Sequence, residues 1–231
     1  MQNTLVHLYS VKTPLFVCDQ MELGEGGVKV VSVDTVEQGN AFVDALMGLS
    51  QPESGCIKLM DQNLYQKSET SRLRLLAEVG HVGGGLISNL KVWENLVLPA
   101  SFHGRVNEVE AEKRLLAALE VLDTRGVWRD GRLSSLPDTL SAQALRVAGL
   151  LRCAVSRPKL IVAEFLLNDL ESGPLERLLK ILQWLRSEDP KLGFLFVHLG
   201  QLPSGQFSLD KLGEFGMVTL EKGTHAISEN D

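Results

Sequence analysis

The sequence has few cysteines, few aromatic residues and no long apolar run. Cys18, Cys56 and Cys153 form neither a CxxC pair nor a metal-ligand spacing, so we expect three reduced thiols. The five histidines show no HxxxH or HxH spacing, which argues against a metal site. No stretch approaches about 18 consecutive apolar residues, and the first residues lack the pattern of a signal peptide. We therefore expect no membrane-spanning segment, and any membrane role has to come through a partner.

Basic residues are outnumbered, with 23 Lys and Arg against 29 Asp and Glu and a formal net charge of -6. This acidic balance argues against a nucleic-acid partner, because phosphate backbones bind clustered Lys and Arg. The 231 residues are 44% hydrophobic, which is enough apolar material for the core of one large α/β domain. No Gly-x-Ser-x-Gly elbow is present, so an acyl-transfer nucleophile is not expected.

Short apolar runs alternate along the chain with segments of helical periodicity. Helices are predicted at about 41–49, 67–78, 109–122, 140–155 and 174–187. Strands are predicted in 1–33, at 56–60, 160–163 and 194–197, with a weaker alternation at 217–220. This alternation predicts an α/β fold with a mostly parallel sheet flanked by helices. The helix-rich middle indicates an inserted helical subdomain at about 83–155, within a single domain whose core is 1–82 and 156–231.

Two segments carry turn and helix patterns that occur together in one ATPase family. Residues 48–55, Gly-Leu-Ser-Gln-Pro-Glu-Ser-Gly, are similar to the "GL-x-x-P-x-S-G" stretch that follows a P-loop helix. Residues 85–99 run from Gly85 to Pro99 and contain Val92-Trp-Glu-Asn95. They resemble the stretch after the family's glutamine loop, notably in the phospholipid and organic-solvent transport branch.

Two further segments follow in the same order and at matching spacing. Leu140-Ser141, Arg146-Val-Ala148 and residues 156–162 are similar to a signature helix that leads into a Walker B strand. Phe196-Val-His198 is similar to the strand that ends in the switch histidine. Over nearly its whole length, the chain therefore resembles the ATP-binding subunits of ABC transporters. The resemblance implies a P-loop NTPase-like fold with ATP and Mg²⁺ as ligands, and no other cofactor is expected.

The resemblance places a P-loop at residues 33–41, where Thr35, Gln38, Gly39, Asn40 and Ala41 take the nucleotide-binding positions. A P-loop needs glycines, a lysine for the phosphates and a Ser or Thr for Mg²⁺. Here Gly39 stands at the lysine position, and Asn40 and Ala41 stand at the Ser/Thr positions. Asp34 and Glu37 add negative charge, and one like charge at about 4 Å costs about 1 kcal/mol in water. We expect a capped helix start that binds no ligand, with Asp34 or Glu37 satisfying the helix end.

The other family motifs are altered as well. No glutamine occurs between Gln66 and Gln143, and Val82-Gly-Gly-Gly85 stands where the glutamine loop is expected. Ala163 replaces the Walker B aspartate, and the signature containing Ser141 is one residue short and has no glycine. The stretch from Val11 to Thr13 offers no aromatic residue to stack on adenine, which leaves Tyr9 as a substitute.

Glu164 and His198 are the two positions at which the family's catalytic residue types remain. The resemblance aligns Glu164 with the glutamate that polarises water and His198 with the histidine that contacts the γ-phosphate. A lone carboxylate cannot supply the charge stabilisation on which phosphoryl transfer depends. We therefore expect both residues to be relics at a strand end, solvated or paired with each other.

Three functional hypotheses follow from these observations. The first is a pseudo-ATPase that docks through residues of about 86–104 on an integral membrane permease of a lipid-type transport system. It would lie in the cytoplasm, peripheral to the inner face of the membrane, as a homodimer or beside a paralogous ABC ATPase. The second is an ATP-hydrolysing ABC subunit with unusual motifs. The third is a soluble protein-interaction module that reuses the fold, since fold does not fix function.

Overall fold

The structure is a computed structural model that describes residues 3–80, 85–102, 106–122, 126, 128–129, 131–202 and 209–223. Its strands are β1 (Thr4–Lys12), β2 (Phe16–Gly24), β3 (Val28–Val33), β4 (Ser54–Leu59), β5 (Gln62–Asn63), β6 (Leu76–Gly80), β7 (Leu160–Glu164), β8 (Gly193–Leu199), β9 (Phe215–Thr219) and β10 (Glu221–Lys222). Its helices are α1 (Val36–Met47), α2 (Glu69–Leu75), α3 (Val92–Phe102), α4 (Glu108–Leu122), α5 (Ala142–Ser156) and α6 (Ser172–Glu188). Short 3-10 turns lie at Leu64–Gln66, Arg132–Ser134, Pro137–Thr139 and Leu209–Leu212.

A parallel five-stranded sheet forms the centre of the molecule, in the order β6-β7-β8-β3-β9. Its inner strands are almost continuously apolar because helices or a second sheet cover both faces. All residues of β7 before Glu164 are buried, as are the first six residues of β8. The α/β fold with a mostly parallel sheet is therefore confirmed.

A second, antiparallel sheet has the order β10-β2-β1-β4-β5. One face of this sheet packs on α1 and on the parallel sheet, so its buried residues alternate with exposed ones. Leu8 and Phe16 of this sheet, Phe42 of α1 and Val31 and Val162 of the parallel sheet belong to one apolar cluster. Helix α1 is thereby held between the two sheets, with its first turn at the carboxyl end of β3.

Helices α3, α4 and α5 pack against one another, and α5 also contacts α6 and β6. Their apolar sides join one cluster with the other face of the parallel sheet. Among the described residues, no helix is both long and apolar enough to cross a membrane.

One predicted element is wrong. Residues 67–78 were expected to form a single helix, but α2 ends at Leu75 and β6 begins at Leu76. Residues 76–80 pair in parallel with β7, in the register Leu76↔Leu160 to Gly80↔Glu164. A full edge ladder outweighs the helix propensity of Leu-Ala-Glu, because tertiary pairing overrides local preference.

Candidate functional site

The predicted P-loop lies at the carboxyl end of β3, where ligands of parallel α/β sheets usually bind. Strand β3 ends at Val33 and α1 begins at Val36, so only Asp34 and Thr35 lie between them. Most of the window at 33–41, including Gln38, is therefore α-helix rather than an open loop. A helix leaves only the amides of its first turn unpaired, whereas a phosphate-binding loop points successive amides at its ligand.

The first turn of α1 is capped by Thr35. Its Oγ1 accepts a hydrogen bond from the Gln38 amide at 3.1 Å, and its carbonyl accepts from the Gly39 amide at 3.2 Å. The buried Gln38 side chain accepts from the Asp34 amide at 2.8 Å and donates to the Glu221 carbonyl at 3.2 Å. The side-chain cap of α1 is therefore Thr35, and Glu37 lies in the first turn, where its negative charge complements the helix end. A threonine at this position suffices, because its hydroxyl accepts from an otherwise unpaired amide.

Gly39, at the lysine position, lies against the ring of Phe165. A Cβ atom built on Gly39 would lie 2.9 Å from Cε1 of Phe165 and closer still to Cζ. Phe165 is 2% exposed and has a positive φ of 49°, a conformation that costs a non-glycine residue about 1 kcal/mol or more. The ring thus fills the space that a side chain on residue 39 would enter. Sequence reasoning missed Phe165, because an aromatic residue after a buried strand is not distinguishable from ordinary core.

Glu164 ends β7 beside the first turn of α1. With its amide oriented to suit both acceptors, Asn40 donates to Oε1 of Glu164 at 3.0 Å and to the carbonyl of Val36 at 3.2 Å. Partial burial, and then the nearby carboxylates of Glu78 and Asp44, raise the pKa of Glu164 to about 7. Burial also raises the pKa of Glu78. The carboxylates of Glu78 and Asp44 make the surroundings of Glu164 acidic. The hydrogen-bond partner of Glu164 is the neutral side-chain amide of Asn40.

His198 lies on the adjacent strand, and its ring is buried. Its Nδ1 is 3.3 Å from the carbonyl of Gly200. Glu164 is in register with Val197 of β8, so the alternation along a strand turns the next side chain, His198, toward the other face. The structure brings Glu164 and Asn40 together and gives His198 a separate hydrogen-bond partner.

Ser141, in the altered signature, caps α5. Its Oγ accepts from the Ala144 amide at 3.3 Å. One turn on, the buried Arg146 donates to the carbonyl of Asn168 at 3.1 Å. The Asn168 side chain makes two hydrogen bonds with the backbone of Leu199. It accepts from the Leu199 amide and donates to the Leu199 carbonyl, both at 3.3 Å. These hydrogen bonds connect α5 to the loop after β7 and to the end of β8. Within the described chain, Ser141 makes no hydrogen bond to Thr35 of the predicted P-loop.

Within the segment at about 86–104, residues 86–91 form a loop that is fixed to the start of α3. The buried amide of Asn95 accepts from the Ile87 amide at 2.6 Å. It also donates to the carbonyls of Ile87, Leu90 and Lys91 at 3.0–3.1 Å. The side chains of Ile87 and Phe102 in this segment are exposed, by 48% and 78%.

The other residues that the sequence singled out are Trp93, Ala163 and the scattered histidines. Trp93 is half-buried and packs against the helical core. His81, His103, His225 and the glutamine-loop stretch before Gly85 lie outside the described residues. Ala163, which the resemblance aligns with the Walker B aspartate, is fully buried in β7. In the described ranges, no group of three or more His, Cys, Asp or Glu residues is arranged to hold a metal ion.

Comparison with known proteins gives consistent results in sequence and in fold. No protein-family model matches the chain. The lipoprotein-releasing system ATP-binding protein LolD of Shewanella oneidensis is 23% identical over 209 residues, 88% of this chain and 84% of that protein. The putative hemin import ATP-binding protein HrtA of Staphylococcus aureus is 24% identical over 179 residues, 77% of this chain and 78% of that protein.

Solved structures show the same relationship at the level of the fold. A dimeric ATP-binding cassette in a post-hydrolysis state, bound to ADP and phosphate, superposes with a TM-score of 0.70 at 19% identity. The match covers 94% of this chain and 98% of that one. The resemblance to ABC transporter ATP-binding subunits is confirmed, and the chain is an ABC transporter ATP-binding-subunit-like protein with the cassette fold.

Proposed function

We propose that this protein is a pseudo-ATPase cassette that docks on a membrane permease without hydrolysing ATP. The observation that carries the proposal is the ring of Phe165 against Gly39. In this family a lysine side chain leaves the helix at that position to reach the phosphates. Here the same space holds apolar ring carbons that belong to the core cluster.

The residues present do not fit a magnesium–triphosphate in the family's pose. Such a ligand needs a cation at residue 39, open amides before it and carboxylate or hydroxyl oxygens for the metal. The chain has Gly39 and Ala163 at two of these positions, and Asn40 is already bonded to Glu164. Asp34 and Glu37, both exposed, would repel the phosphates. We therefore derive no phosphoryl-transfer step for this chain.

The docking side of the proposal is supported by the loop that Asn95 holds. The buried amide of Asn95 accepts one hydrogen bond from residues 87–91 and donates three to them. This surface is therefore fixed without any ligand and is preorganised for a partner. Ile87, Leu98 and Phe102 add exposed apolar area beside it. We propose that the helical subdomain, at about 83–155, presents this surface to the permease.

The setting of the complex follows from the same proposal. The protein would lie in the cytoplasm, peripheral to the inner face of the membrane, as a homodimer or beside a paralogous ABC ATPase. The LolD relatives, by their name, belong to a lipoprotein-releasing system, which supports a lipid-type system. HrtA is named for hemin import, so the cargo has to be established by experiment.

A nucleotide titration separates this proposal from a conventional ATPase. Calorimetry with millimolar MgATP is expected to give no binding heat with this chain, while a LolD protein in the same buffer serves as the positive control. Measured MgATP affinity together with turnover that falls in Glu164→Gln would instead establish an active ATPase with unusual motifs.

Docking is tested with a matched pair of surface variants. Phe102→Asp and Val109→Asp alter side chains of nearly equal exposure, 78% and 76%, but only Phe102 lies in the proposed docking segment. Co-purification of the full chain from its native membranes is expected to recover an integral membrane protein. The Phe102 variant should lose that protein and the Val109 variant should retain it. Recovery of only soluble proteins would favour the interaction-module hypothesis.

A further inference from the structure

A cavity of about 500 Å³ lies on the side of the molecule away from the P-loop region. It is formed between α4, the end of α5 and the end of α6, and Lys159 and Leu192, which precede β7 and β8, line it. It therefore sits at the amino ends of these parallel strands, whereas Gly39 and Glu164 lie at the carboxyl ends. Its size falls within the range of about 300–1,000 Å³ that small-molecule sites occupy.

The cavity has an apolar interior and a charged rim. Ala154, Leu185 and Leu192 are buried and line it, and the half-buried indole of Trp184 forms part of its wall. Cys153 also lines it, and burial raises the pKa of its thiol to about 12, so this residue adds no negative charge at neutral pH. An apolar ligand body of moderate size is therefore accommodated without burying a charge.

The carboxylates around the cavity already have partners, and so do three carbonyls at the ends of α5 and α6. All three lining carboxylates form ion pairs with lining cations: Glu110 with Arg114 at 3.0 Å, Asp189 with Lys159 at 3.2 Å and Glu188 with Arg157 at 3.6 Å. The ends of α5 and α6 would otherwise offer free carbonyls and a partial negative charge. There Arg114 Nη1 donates to the carbonyl of Val155, and the amides of Arg157 and Asp189 donate to Cys153 and Leu185.

Two of the lining residues offer unused donors. Lys113 lines the cavity and makes no hydrogen bond or ion pair within the described part of the chain. Trp184 also lines the cavity, and its indole N–H, which can only donate, has no hydrogen-bond partner within that part of the chain. With four lining cations against three carboxylates, the site carries one excess positive charge. A site with spare donors, paired carboxylates and one excess positive charge is complementary to a single anion.

We propose that this cavity binds a small organic carboxylate that consists of an apolar body and one anionic group. The apolar body would pack against Trp184, Leu185 and Leu192, and the carboxylate would accept from Lys113 and the indole. Neither the nucleotide site nor the docking segment takes part, so the inference does not depend on the proposed pseudo-ATPase role.

The test is calorimetry on the full chain with 2-naphthoate, compared with 2-naphthamide, which has the same shape but no charge. Naphthoate is expected to bind on the order of fivefold or more tightly, since a charged acceptor makes the stronger hydrogen bonds. Lys113→Gln should weaken naphthoate binding about two- to fivefold, as expected for a solvent-exposed ion pair. Lys180→Gln is the matched control, because Lys180 is an exposed lysine of α6 that does not line the cavity.

A second variant tests the location independently of the charge. Ala117 is exposed and lines the cavity, so Ala117→Trp should fill it without disturbing the core and should abolish naphthoate binding. The proposal is overturned if naphthoate does not bind at millimolar concentration, or if the amide binds equally well. Unchanged binding in Ala117→Trp would also overturn it, because the ligand would then occupy another site.

Discussion

Replacing Gly39 by alanine places two physical effects in opposition. Inside a helix, alanine is more favourable than glycine by about 1 kcal/mol, because glycine loses more backbone entropy on folding. At this position the added methyl group would lie 2.9 Å from Cε1 of Phe165 and closer to Cζ. Overpacking of this kind costs about 1–3 kcal/mol. Because the ring is buried in the core, we expect the cost to prevail and Gly39→Ala to lower the free energy of unfolding by about 1–2 kcal/mol.

The sign of the effect should reverse when the end of the ring is removed. Phe165→Leu deletes the Cε and Cζ atoms that the methyl group meets, while keeping an apolar side chain in the core. In the Phe165→Leu background, Gly39→Ala should therefore raise stability by up to about 1 kcal/mol, the helix-propensity gain alone. The coupling free energy between the two positions is then about 2–3 kcal/mol, well above the few tenths expected for independent sites.

Urea unfolding of the four proteins in this cycle, followed by circular dichroism, gives the coupling directly. Gly173→Ala is the matched control, since Gly173 lies near the start of α6 and has nothing within 4 Å of its added Cβ. That substitution should be neutral or mildly stabilising in both backgrounds. If Gly39→Ala stabilises the protein that retains Phe165, or if the two substitutions are additive, the ring does not occupy this space and the main support for the pseudo-ATPase proposal is lost.

Three further predictions concern the surroundings of this site and the docking loop. Thr35→Ala should cost about 1 kcal/mol by removing the cap of α1, measured by urea unfolding, whereas Thr35→Ser should cost little. Glu164 has a folded-state pKa of about 7, raised above 4.5, so the folded state binds its proton more tightly. Stability from this group is present at low pH and falls between about pH 4.5 and 7. Glu164→Gln should therefore stabilise the protein at pH 8, on the order of 1 kcal/mol after solvent screening, and should flatten this dependence. A variant less stable than wild type at pH 8 would contradict that assignment. Asn95→Ala should cost about 1–3 kcal/mol and speed amide exchange in residues 87–91, because it leaves buried polar groups unpaired. Unchanged exchange would show that the loop does not depend on this amide.

Hydrophobic periodicity predicted most helices and the central strands correctly, because burial against the core repeats apolar residues at the period of the element. The apolar run at 160–163 and the helical face at 109–122 correspond to β7 and α4. The prediction failed at Leu76–Gly80, where pairing with β7 decides the conformation. Residues 1–33 were predicted as strands, but the sequence did not assign β1 and β2 to a separate antiparallel sheet. Strand partners are long-range contacts that local patterns do not specify.

The sequence by itself predicted the ABC-cassette-like α/β fold, and the resemblance aligned Gly39, Asn40 and Ala163 with the family's charged and hydroxyl-bearing residues. The tertiary structure alone decided what fills the resulting space. Phe165 contacts Gly39 although it lies 126 positions further along the chain. Asn40 and Glu164 are likewise distant in sequence and hydrogen-bonded in the fold. These contacts exist because β7 and α1 lie side by side in the fold. A missing lysine can be read from residue identity, but the occupant of its place depends on packing between segments that are distant in sequence.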